Sequence, residues 1–285
     1  MNLKQHIQHP IFSIVSQAAD ELAYESYVIG GFVRDVILER TQPTDIDFVC
    51  VGSGIELANK VSELVGNDSK VQVFKNFGTA MLRYQDLELE FVGARKESYR
   101  SNSRKPIVED GTLEDDQNRR DFTINALAIR LNKEHFGELI DPFDGLKDLE
   151  NKIIRTPLEP NITYSDDPLR MMRAIRFSSE LNFSIEKESY LSIFKNSQRL
   201  NIISKERITD ELNKILLSKK PSVGLKLLFD TELLHQFFPK MVKLQGVDTI
   251  GDYAHKDNFL HTLEVIDNIR KKTDNLWLIW AALLH

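Results

Sequence analysis

The sequence predicts an α+β protein in which a small mixed β-sheet head is followed by an all-helical neck and body. Short apolar runs of β-type composition, separated by turn residues, fill roughly the first 130 residues. From about residue 145 onwards, longer amphipathic patterns indicate helices. The chain of 285 residues exceeds the size at which one hydrophobic core usually splits, so we expect at least two domains.

Each part of the chain has its own set of predicted elements. The strand candidates are SYVIGG, IDFVCV, KVQVF, TAMLRY, LELEFVGA and ALAIRL. Helical patterns in the head cover about residues 11–23, 32–40 and 54–65. The later helix candidates are DDPLRMMRAIRFSSEL, EKESYLSIFKN, ISKERITDELNKILL, PSVGLKLLFDTELLHQF, NFLHTLEVIDNIRKK and NLWLIWAALLH. The last of these is apolar to the final residue and has no C-cap signal, so we expect the natural chain to continue beyond it.

Residues 95–118 show no hydrophobic periodicity and carry clustered charge with Ser, Asn, Pro and Gly. A loop of this length is either functional or disordered. Its first part, residues 95–106, sets five basic side chains against one glutamate. The net charge of −6 argues weakly against nucleic-acid binding, but such binding needs only a local basic patch.

The single cysteine, Cys50, excludes an internal disulfide. The polar start MNLKQHIQHP contains no h-region, and the chain has no long apolar stretch. We therefore expect a reduced, cytoplasmic protein without a membrane span.

Asp45 and Asp47 lie one residue apart inside an apolar run. Side chains alternate between the faces of a strand, so these two carboxylates project together. At about 7 Å apart they repel unless a cation lies beside them, and magnesium prefers oxygen ligands of this kind. A pair that merely faces water at a strand edge is the alternative. The predicted strand in LELEFVGAR offers Glu88 and Glu90 on one face as a third carboxylate, although a position on the solvent-facing side of an amphipathic strand is the alternative for either residue.

Gly30 and Gly31 end one predicted strand and open a helix. Glycines let backbone N–H groups approach a phosphate, and the helix N-terminus favours its negative charge. Arg34 lies on the first turn and can reach the same anion. A purely structural turn is the alternative for the glycine pair alone. With the aspartates, the pattern favours a site for a nucleoside triphosphate and its metal ions.

These residues lie in longer motifs that resemble those of the class II tRNA nucleotidyltransferase and bacterial poly(A) polymerase family. GGFVRD and DID, within residues 30–47, resemble the first catalytic motif, and RRDFTINALAI (119–129) resembles the second. DDPLRMMRAIRF (166–177) resembles the motif that reads the incoming base, and ISKERITDELNKIL (203–216) resembles the helical neck motif. DPFDGLKDLENKIIRT also fits the family spacing, and the resemblance extends in order over about residues 25–240.

The resemblance implies roles for individual residues. Asp45 and Asp47 are implied to bind magnesium, and Glu90, five residues before Arg95, is implied to be the third catalytic carboxylate. Asp121 is implied to hold the ribose 2′-hydroxyl, which favours ribonucleotides. The implied nucleotide-binding set in the head is Gly30, Gly31, Arg34, Arg120, Asp121 and Asn125.

Asp167 and Arg170 are three residues apart and so are neighbours on a helix. A carboxylate accepts from an exocyclic amino group and a guanidinium donates to ring acceptors, a pattern that cytosine and adenine both satisfy. Alternatively, Asp167 is the N-cap of a helix that begins at Pro168, and the two roles are compatible. Arg173 and Arg176 extend the basic face towards the triphosphate or a protein partner.

The family motif usually begins with glutamate, whereas here Asp166 keeps the charge with a side chain one methylene shorter. We hold Asp166 as a secondary candidate. No histidine lies in the motifs, so no separate general base is assigned.

The resemblance implies that an RNA 3′-hydroxyl attacks the α-phosphate of CTP or ATP and releases pyrophosphate, with two magnesium ions on Asp45 and Asp47. Residues 95–118 resemble the loop that complete CCA-adding enzymes use between C and A addition. We therefore expect CCA addition to the 3′ end of tRNA. A poly(A) polymerase, an A-adding enzyme and a catalytically silent RNA-binding fragment are the alternatives.

The predicted domains are a nucleotidyltransferase head at 1–145, a helical neck that binds the base and RNA at 146–240, and the beginning of an HD-type helical domain at 241–285. His261 and His285 match histidine ligands of HD-type phosphohydrolases. The carboxylates of such a site are missing from this sequence, so we expect no HD-type activity. Ordinary helix-flanking positions for His255 and His261 are the alternative.

Overall fold

The chain forms two compact units, Met1–Asn151 and Lys152–His285. The computed structural model describes residues 1–40, 44–66, 70–75, 78–100, 103–246, 249–250, 253–254 and 257–285. The first unit is built on a mixed β-sheet, and the second consists mainly of helices, so the predicted α+β class is confirmed. The finer domain boundaries at residues 145 and 240 stay predictions. In the described ranges, no helix has the length and apolar character needed to cross a bilayer.

The first unit contains the six predicted strands and three predicted helices, with boundaries shifted by a few residues. Its elements in chain order are α1 (Pro10–Glu21), β1 (Glu25–Ile29), α2 (Gly31–Ile37), β2 (Asp45–Val51), α3 (Gly54–Val65), β3 (Gln72–Phe74), β4 (Thr79–Tyr84), β5 (Leu87–Gly93), β6 (Arg95–Arg100), β7 (Ser103–Asp110), α4 (Leu113–Asn118), β8 (Ala128–Arg130), β9 (Leu139–Ile140) and α5 (Gly145–Asn151).

The main sheet has seven strands in the order β3-β4-β5-β2-β1-β8-β9. β2 runs parallel to β5, and the other neighbours pair antiparallel. In this register Asp47 lies between Ile29 of β1 and Glu90 of β5. The end of β1 and the beginnings of β2 and β5 therefore meet at one edge of the sheet.

The alternation predicted for β2 is visible in its burial. Ile46 and Phe48 are buried, and Phe48 stacks on Phe91 of β5 at a centroid distance of 5.1 Å. Complete burial of one such aromatic side chain contributes about 1.5–3 kcal/mol. Asp47 projects to the other face, which it shares with the buried Val49. The core therefore fixes which way the aspartates face, because a one-residue slip of register would turn them towards the core and turn Ile46 and Phe48 away from it.

The prediction of a loop at residues 95–118 is wrong, because the described residues of this segment form two strands and a helix. β6 and β7 pair as an antiparallel hairpin, and α4 follows with a capping box between Thr112 and Asp115. Val108, Glu109 and Asp110 at the end of β7 are exposed, so no buried face imposes an apolar alternation there. Hydrophobic periodicity therefore does not identify such a strand.

The second unit follows the predicted helical order with small strands added. Its elements are β10 (Ile153–Ile154), α6 (Pro160–Asp166), α7 (Leu169–Leu181), β11 (Ser184–Ile185), α8 (Lys187–Asn196), α9 (Lys205–Leu216), α10 (Pro221–Asp230), α11 (Leu233–Phe237), α12 (Pro239–Val242), β12 (Thr249–Ile250), β13 (Tyr253–Ala254), α13 (Asn258–Arg270) and α14 (Leu276–Leu284). The expected all-helical body therefore carries two pairs of two-residue strands, β10–β11 and β12–β13. The pattern at 221–237 splits into two helices at Glu232, whose φ of +60° is incompatible with a continuous helix.

Polar contacts attach α13 and α14 to the helices before them. Nε1 of Trp280 donates to Oδ1 of Asn213 on α9 at 2.8 Å. The hydroxyl of Ser222, on α10, donates to the Asp267 carboxylate at 2.7 Å. The C-terminal helices therefore pack on α9 and α10 within the second unit.

Candidate active site

Strand register makes three carboxylates neighbours at the sheet edge where β1 ends. Asp45 is the exposed first residue of β2, and Asp47 lies partly buried on the same face. In the parallel pairing with β5, Asp47 lies beside Glu90 and Asp45 lies beside Glu88. The Glu88 carboxylate already forms an ion pair with Arg83 across the β4–β5 hairpin. This geometry favours Glu90 over Glu88 as the third acidic residue.

Burial and like charge raise the pKa of two of these carboxyl groups. At Asp47 burial is the largest cause, and the charges of Asp45 and Asp116 add to it. The Arg120 guanidinium opposes both effects on the Asp47 pKa. Burial is also the largest cause of the raised pKa of Glu90, and the negative charge of Asp47 raises this pKa further. The face thus carries negative charge that a bound cation would stabilise.

This charge predicts a pH-dependent stability in the absence of metal. Because the folded state raises the Asp47 pKa, the group's stabilising contribution is complete below the ordinary carboxyl pKa of about 4 and is lost as pH rises through the folded value. In EDTA, Asp47→Asn should therefore gain thermal stability relative to wild type as pH rises from that range towards neutrality. Mg²⁺ should reduce the difference by stabilising only the wild type. Melting curves with a pH-independent difference would contradict this account.

The donor set of this face fits a hard cation. Asp45 and Asp47 offer carboxylate oxygens, and Mg²⁺ usually takes one or two carboxylates together with water and substrate phosphates. Within the described part of the chain, no three Asp, Glu, His or Cys side chains are grouped as a complete metal site. The two aspartates therefore suit a metal ion whose remaining ligands come from a bound nucleotide and water.

Gly30 combines an unusual backbone conformation with a close approach of side chains. Its φ is +83°, in the region that favours glycine, at the turn between β1 and α2. A Cβ atom on Gly30 would lie 3.1 Å from Nη1 of Arg120 and 3.5 Å from Oδ2 of Asp47. A Cβ atom on Gly31 would lie 3.6 Å from Nη2 of Arg34. The bare turn thus brings main-chain amides and guanidinium groups together, which suits an anion.

Arg34 lies at the centre of a buried polar network. It donates two hydrogen bonds of 2.9 Å to the Asp35 carboxylate and one of 2.8 Å to Oδ1 of Asn125. Nδ2 of Asn125 donates to Oδ1 of Asp121 at 3.0 Å, and that oxygen also accepts the Phe122 N–H at 2.8 Å. The network fixes three of the predicted nucleotide-binding side chains in one orientation.

Asp116, which had no predicted role, anchors both arginines of the RRD motif. It is fully buried, and its two oxygens accept from Nε of Arg119 at 3.0 Å and from Nε of Arg120 at 3.1 Å. Nη1 of Arg120 also donates to the carbonyl of Asn125 at 3.4 Å. Asp116 therefore holds Arg120 close to Gly30. Its spacing of three and four residues from the arginines indicates such pairs on a helix, but the predicted loop concealed the helix.

The segment DPFDGLKDLENKIIRT (141–156) packs against the RRDFTINALAI motif through buried contacts with Thr123. Asp141 accepts the N–H groups of Gly145 and Leu146 at the start of α5, at 2.7 and 2.9 Å. Asp148 accepts the buried Thr123 hydroxyl at 2.7 Å. A Cβ atom on Gly145 would lie 2.6 Å from the Thr123 carbonyl oxygen, so glycine permits this close packing.

In the second unit, Asp167 lies between α6 and α7. Its Oδ1 accepts the Leu169 N–H at 3.1 Å, a helix-start hydrogen bond of the type that the capping interpretation predicts. Its Oδ2 accepts from Nη2 of Arg207 on α9 at 3.3 Å. Arg170 follows on the first turn of α7, and its N–H donates to the Asp167 carbonyl at 3.0 Å. The helix itself begins at Leu169, one residue later than predicted.

The two further arginines of α7 have different surroundings. Arg176 donates to Glu211 at 2.7 Å and to Glu180 at 3.0 Å, and its guanidinium lies 4.0 Å from the Phe177 ring centroid. Arg173 lies 5.4 Å from the same centroid. The Arg176 charge is thus matched by two carboxylates at the contact of α7 with α9. A role for Arg173 and Arg176 in nucleotide binding stays a prediction.

His261 and His285 line one cavity of about 730 Å³ between α13 and α14. His255 lies outside the described residues. The expected lack of HD-type activity stays a prediction.

The chain matches two protein-family models, and its structure is similar to solved structures. A model described as the poly A polymerase head domain matches residues 26–155, and one described as a probable RNA and SrmB-binding site of polymerase A matches residues 182–244. The crystal structure of a tRNA nucleotidyltransferase with a primer tRNA and an incoming ATP analog matches at a TM-score of 0.74 and 31% identity, covering 95% of this chain and 75% of that one. The chain belongs to the tRNA nucleotidyltransferase and poly(A) polymerase family. Enzymes of this nucleotidyltransferase family generally use divalent metal ions.

Relatives within the family include enzymes of both A-adding and CCA-adding type. The A-adding tRNA nucleotidyltransferase of Aquifex aeolicus is 39% identical over 203 residues, or 71% of this chain and 24% of the relative. The CCA-adding enzyme of Ligilactobacillus salivarius is 38% identical over 238 residues, or 82% of this chain and 56% of the relative. The chain thus spans about a quarter of the first relative and just over half of the second.

Proposed function

We propose that the protein adds C and A residues to the 3′ end of tRNA from CTP and ATP and releases pyrophosphate. The observation that carries this proposal is the carboxylate face of Asp45, Asp47 and Glu90 beside the Gly30 turn and the Arg120 guanidinium. A cation-binding face beside an anion-binding turn suits a nucleoside triphosphate. The CCA-adding relative and the structure with a primer tRNA support tRNA as the acceptor.

Each group of the first unit has a task in this reaction. Asp45 and Asp47 would hold two Mg²⁺ ions, which supply hydroxyl activation and charge neutralisation in reactions of this class. Arg34 and Arg120 bind the triphosphate charge, and their carboxylate partners, Asp35 and Asp116, fix the two guanidinium groups in place. Asp121 accepts the ribose 2′-hydroxyl.

Residues of the second unit select the base. Asp167 accepts a hydrogen bond from the exocyclic amino group of cytosine or adenine, and Arg170 donates to a ring acceptor. Uracil and guanine present the reverse pattern, so the same pair rejects UTP and GTP. One protein template thereby serves both C and A addition.

A-only addition is the second candidate, favoured by the 39% identity with the Aquifex aeolicus enzyme. The two activities differ in acceptor and nucleotide. A CCA-adding enzyme extends tRNA that lacks all three terminal nucleotides and needs CTP. An A-adding enzyme extends only tRNA that already ends in CC.

Extension of defined tRNA ends tests the proposal. The protein is incubated with Mg²⁺ and labelled CTP or ATP, using tRNA that lacks CCA and tRNA that ends in CC. We expect CTP incorporation followed by one A, with no further extension. ATP incorporation restricted to the CC-ending tRNA would establish A addition instead, and unlimited A incorporation would establish tailing. Lack of incorporation on every acceptor would overturn the proposal for this chain.

Glu90→Gln should reduce nucleotide incorporation by about tenfold to a hundredfold, because a carboxylate beside Asp47 is lost from the reacting site. Glu88→Gln is the matched control, since it changes the same residue type on the same face of β5 but removes an ion pair with Arg83. The kcat values of both variants are compared under saturating CTP. Equal losses in the two variants would show that Glu90 has no special role.

A further inference from the structure

The Asp167 carboxylate is held from two directions. Oδ1 accepts the Leu169 N–H, and Oδ2 accepts from Arg207, which lies forty positions later in the chain on α9. One oxygen is thus tied to the start of α7 and the other to a neighbouring helix. The side chain remains 25% exposed, so it can still meet a ligand. Each carboxylate oxygen has two lone pairs, so one on each remains for a base.

A second arginine holds the backbone just before Asp167. Nη2 of Arg199 donates to the carbonyl of Ser165, near the end of α6, at 2.8 Å. The Asp167 N–H itself donates to the Thr163 carbonyl at 3.4 Å. The junction between α6 and α7 is therefore fixed by two arginines that belong to neither helix.

Orientation matters for the base selection proposed above. A freely rotating carboxylate can accept an N–H from many directions, and so it tolerates a misplaced or incorrect base. Selective groups need their angles fixed by supporting contacts. Arg207 supplies such a contact to Oδ2 of Asp167, the oxygen that does not accept the Leu169 N–H at the start of α7.

We propose that Arg207 is a positioning residue for Asp167 and thereby sets the preference for CTP and ATP over UTP and GTP. This inference rests on the proposed function. The opposite arrangement, in which Arg207 competes with the base for the carboxylate, predicts tighter CTP binding when Arg207 is removed. The two arrangements thus give opposite results in one experiment.

Three variants of the chain test the inference. Arg207→Ala removes the contact, and Arg207→Lys keeps the charge with a single compact donor group. Lys205→Ala is the control, because Lys205 is an exposed cation two residues away on the same helix. The ratio of kcat/KM for CTP to that for UTP is measured on tRNA lacking CCA, with circular dichroism melting for each variant. The partly exposed Arg207–Asp167 pair is weak enough that the fold should persist.

We expect Arg207→Ala to lower the CTP-to-UTP ratio by about three- to tenfold, which is typical of coupled neighbours. Arg207→Lys should recover part of the ratio, and Lys205→Ala should match wild type. If the wild-type chain prefers CTP over UTP and Arg207→Ala leaves this ratio unchanged or increases it, the inference about Arg207 is overturned while the proposed function stands. A wild-type chain that does not prefer CTP over UTP would overturn the proposed function as well. If Arg207→Ala fails to fold, the ratio in Arg207→Lys decides, and a wild-type value there counts against the inference.

Discussion

Asp47→Asn should reduce nucleotide incorporation by about a thousandfold or more while the fold remains intact. An amide keeps the shape of the side chain but removes the negative charge that we propose holds the cation. Loss of metal-derived stabilisation of the transition state costs several kcal/mol, and each 1.36 kcal/mol is about a factor of ten in rate. The measurement is single-turnover incorporation of CTP at saturating Mg²⁺.

The control for this variant is Asp86→Asn, which changes an exposed aspartate in the turn between β4 and β5. It should retain wild-type incorporation. Because burial raises the Asp47 pKa, Asp47→Asn should be at least as stable as wild type near neutral pH in EDTA. Normal incorporation by Asp47→Asn would remove Asp47 from the catalytic site.

Asp116→Asn should destabilise the first unit by about 3–5 kcal/mol, the usual cost of removing one partner from a buried ion pair. The variant leaves Arg119 and Arg120 without the carboxylate that both contact. Arg120 should then lose its position near Gly30, so incorporation should fall together with stability. Native-state hydrogen exchange of the β2 amides reports the loss of stability.

The neighbouring Asp115 provides the control for Asp116→Asn. Asp115 is partly exposed and forms the capping box with Thr112 at the start of α4, so Asp115→Asn should cost at most about 1 kcal/mol. Both tryptophans, Trp277 and Trp280, lie in the second unit, and their fluorescence melting should stay unchanged in either variant. Equal stability of the Asp115 and Asp116 variants would show that the contacts of Asp116 with Arg119 and Arg120 contribute little to the stability of the first unit.

The sequence was sufficient to predict the strands and helices that have a buried face. In β2, Ile46 and Phe48 alternate with the aspartates, and burial of one face fixes the register of the whole strand. The glycine turn was predictable for a related reason, since a strand end followed by a helix start leaves few backbone conformations. Local pattern therefore located Gly30, Asp45 and Asp47.

Partners that belong to other segments could not be predicted in this way. The hairpin of β6 and β7 lacks an apolar alternation, and its assignment to a loop concealed the α4 helix that carries Asp116. The contact of Asp167 with Arg207 joins residues forty positions apart and depends on how α7 packs against α9. Neither arrangement leaves a periodic signal, because the contacts are set by tertiary packing.

The central claim is that Asp45 and Asp47 hold the metal ions for nucleotide transfer. Anomalous scattering from Mn²⁺ in crystals of the protein with bound CTP tests it most directly. We predict Mn²⁺ peaks in contact with the carboxylate oxygens of both aspartates and with the triphosphate. Well-ordered CTP with Mn²⁺ bound elsewhere, and no peak at either aspartate, would contradict the account.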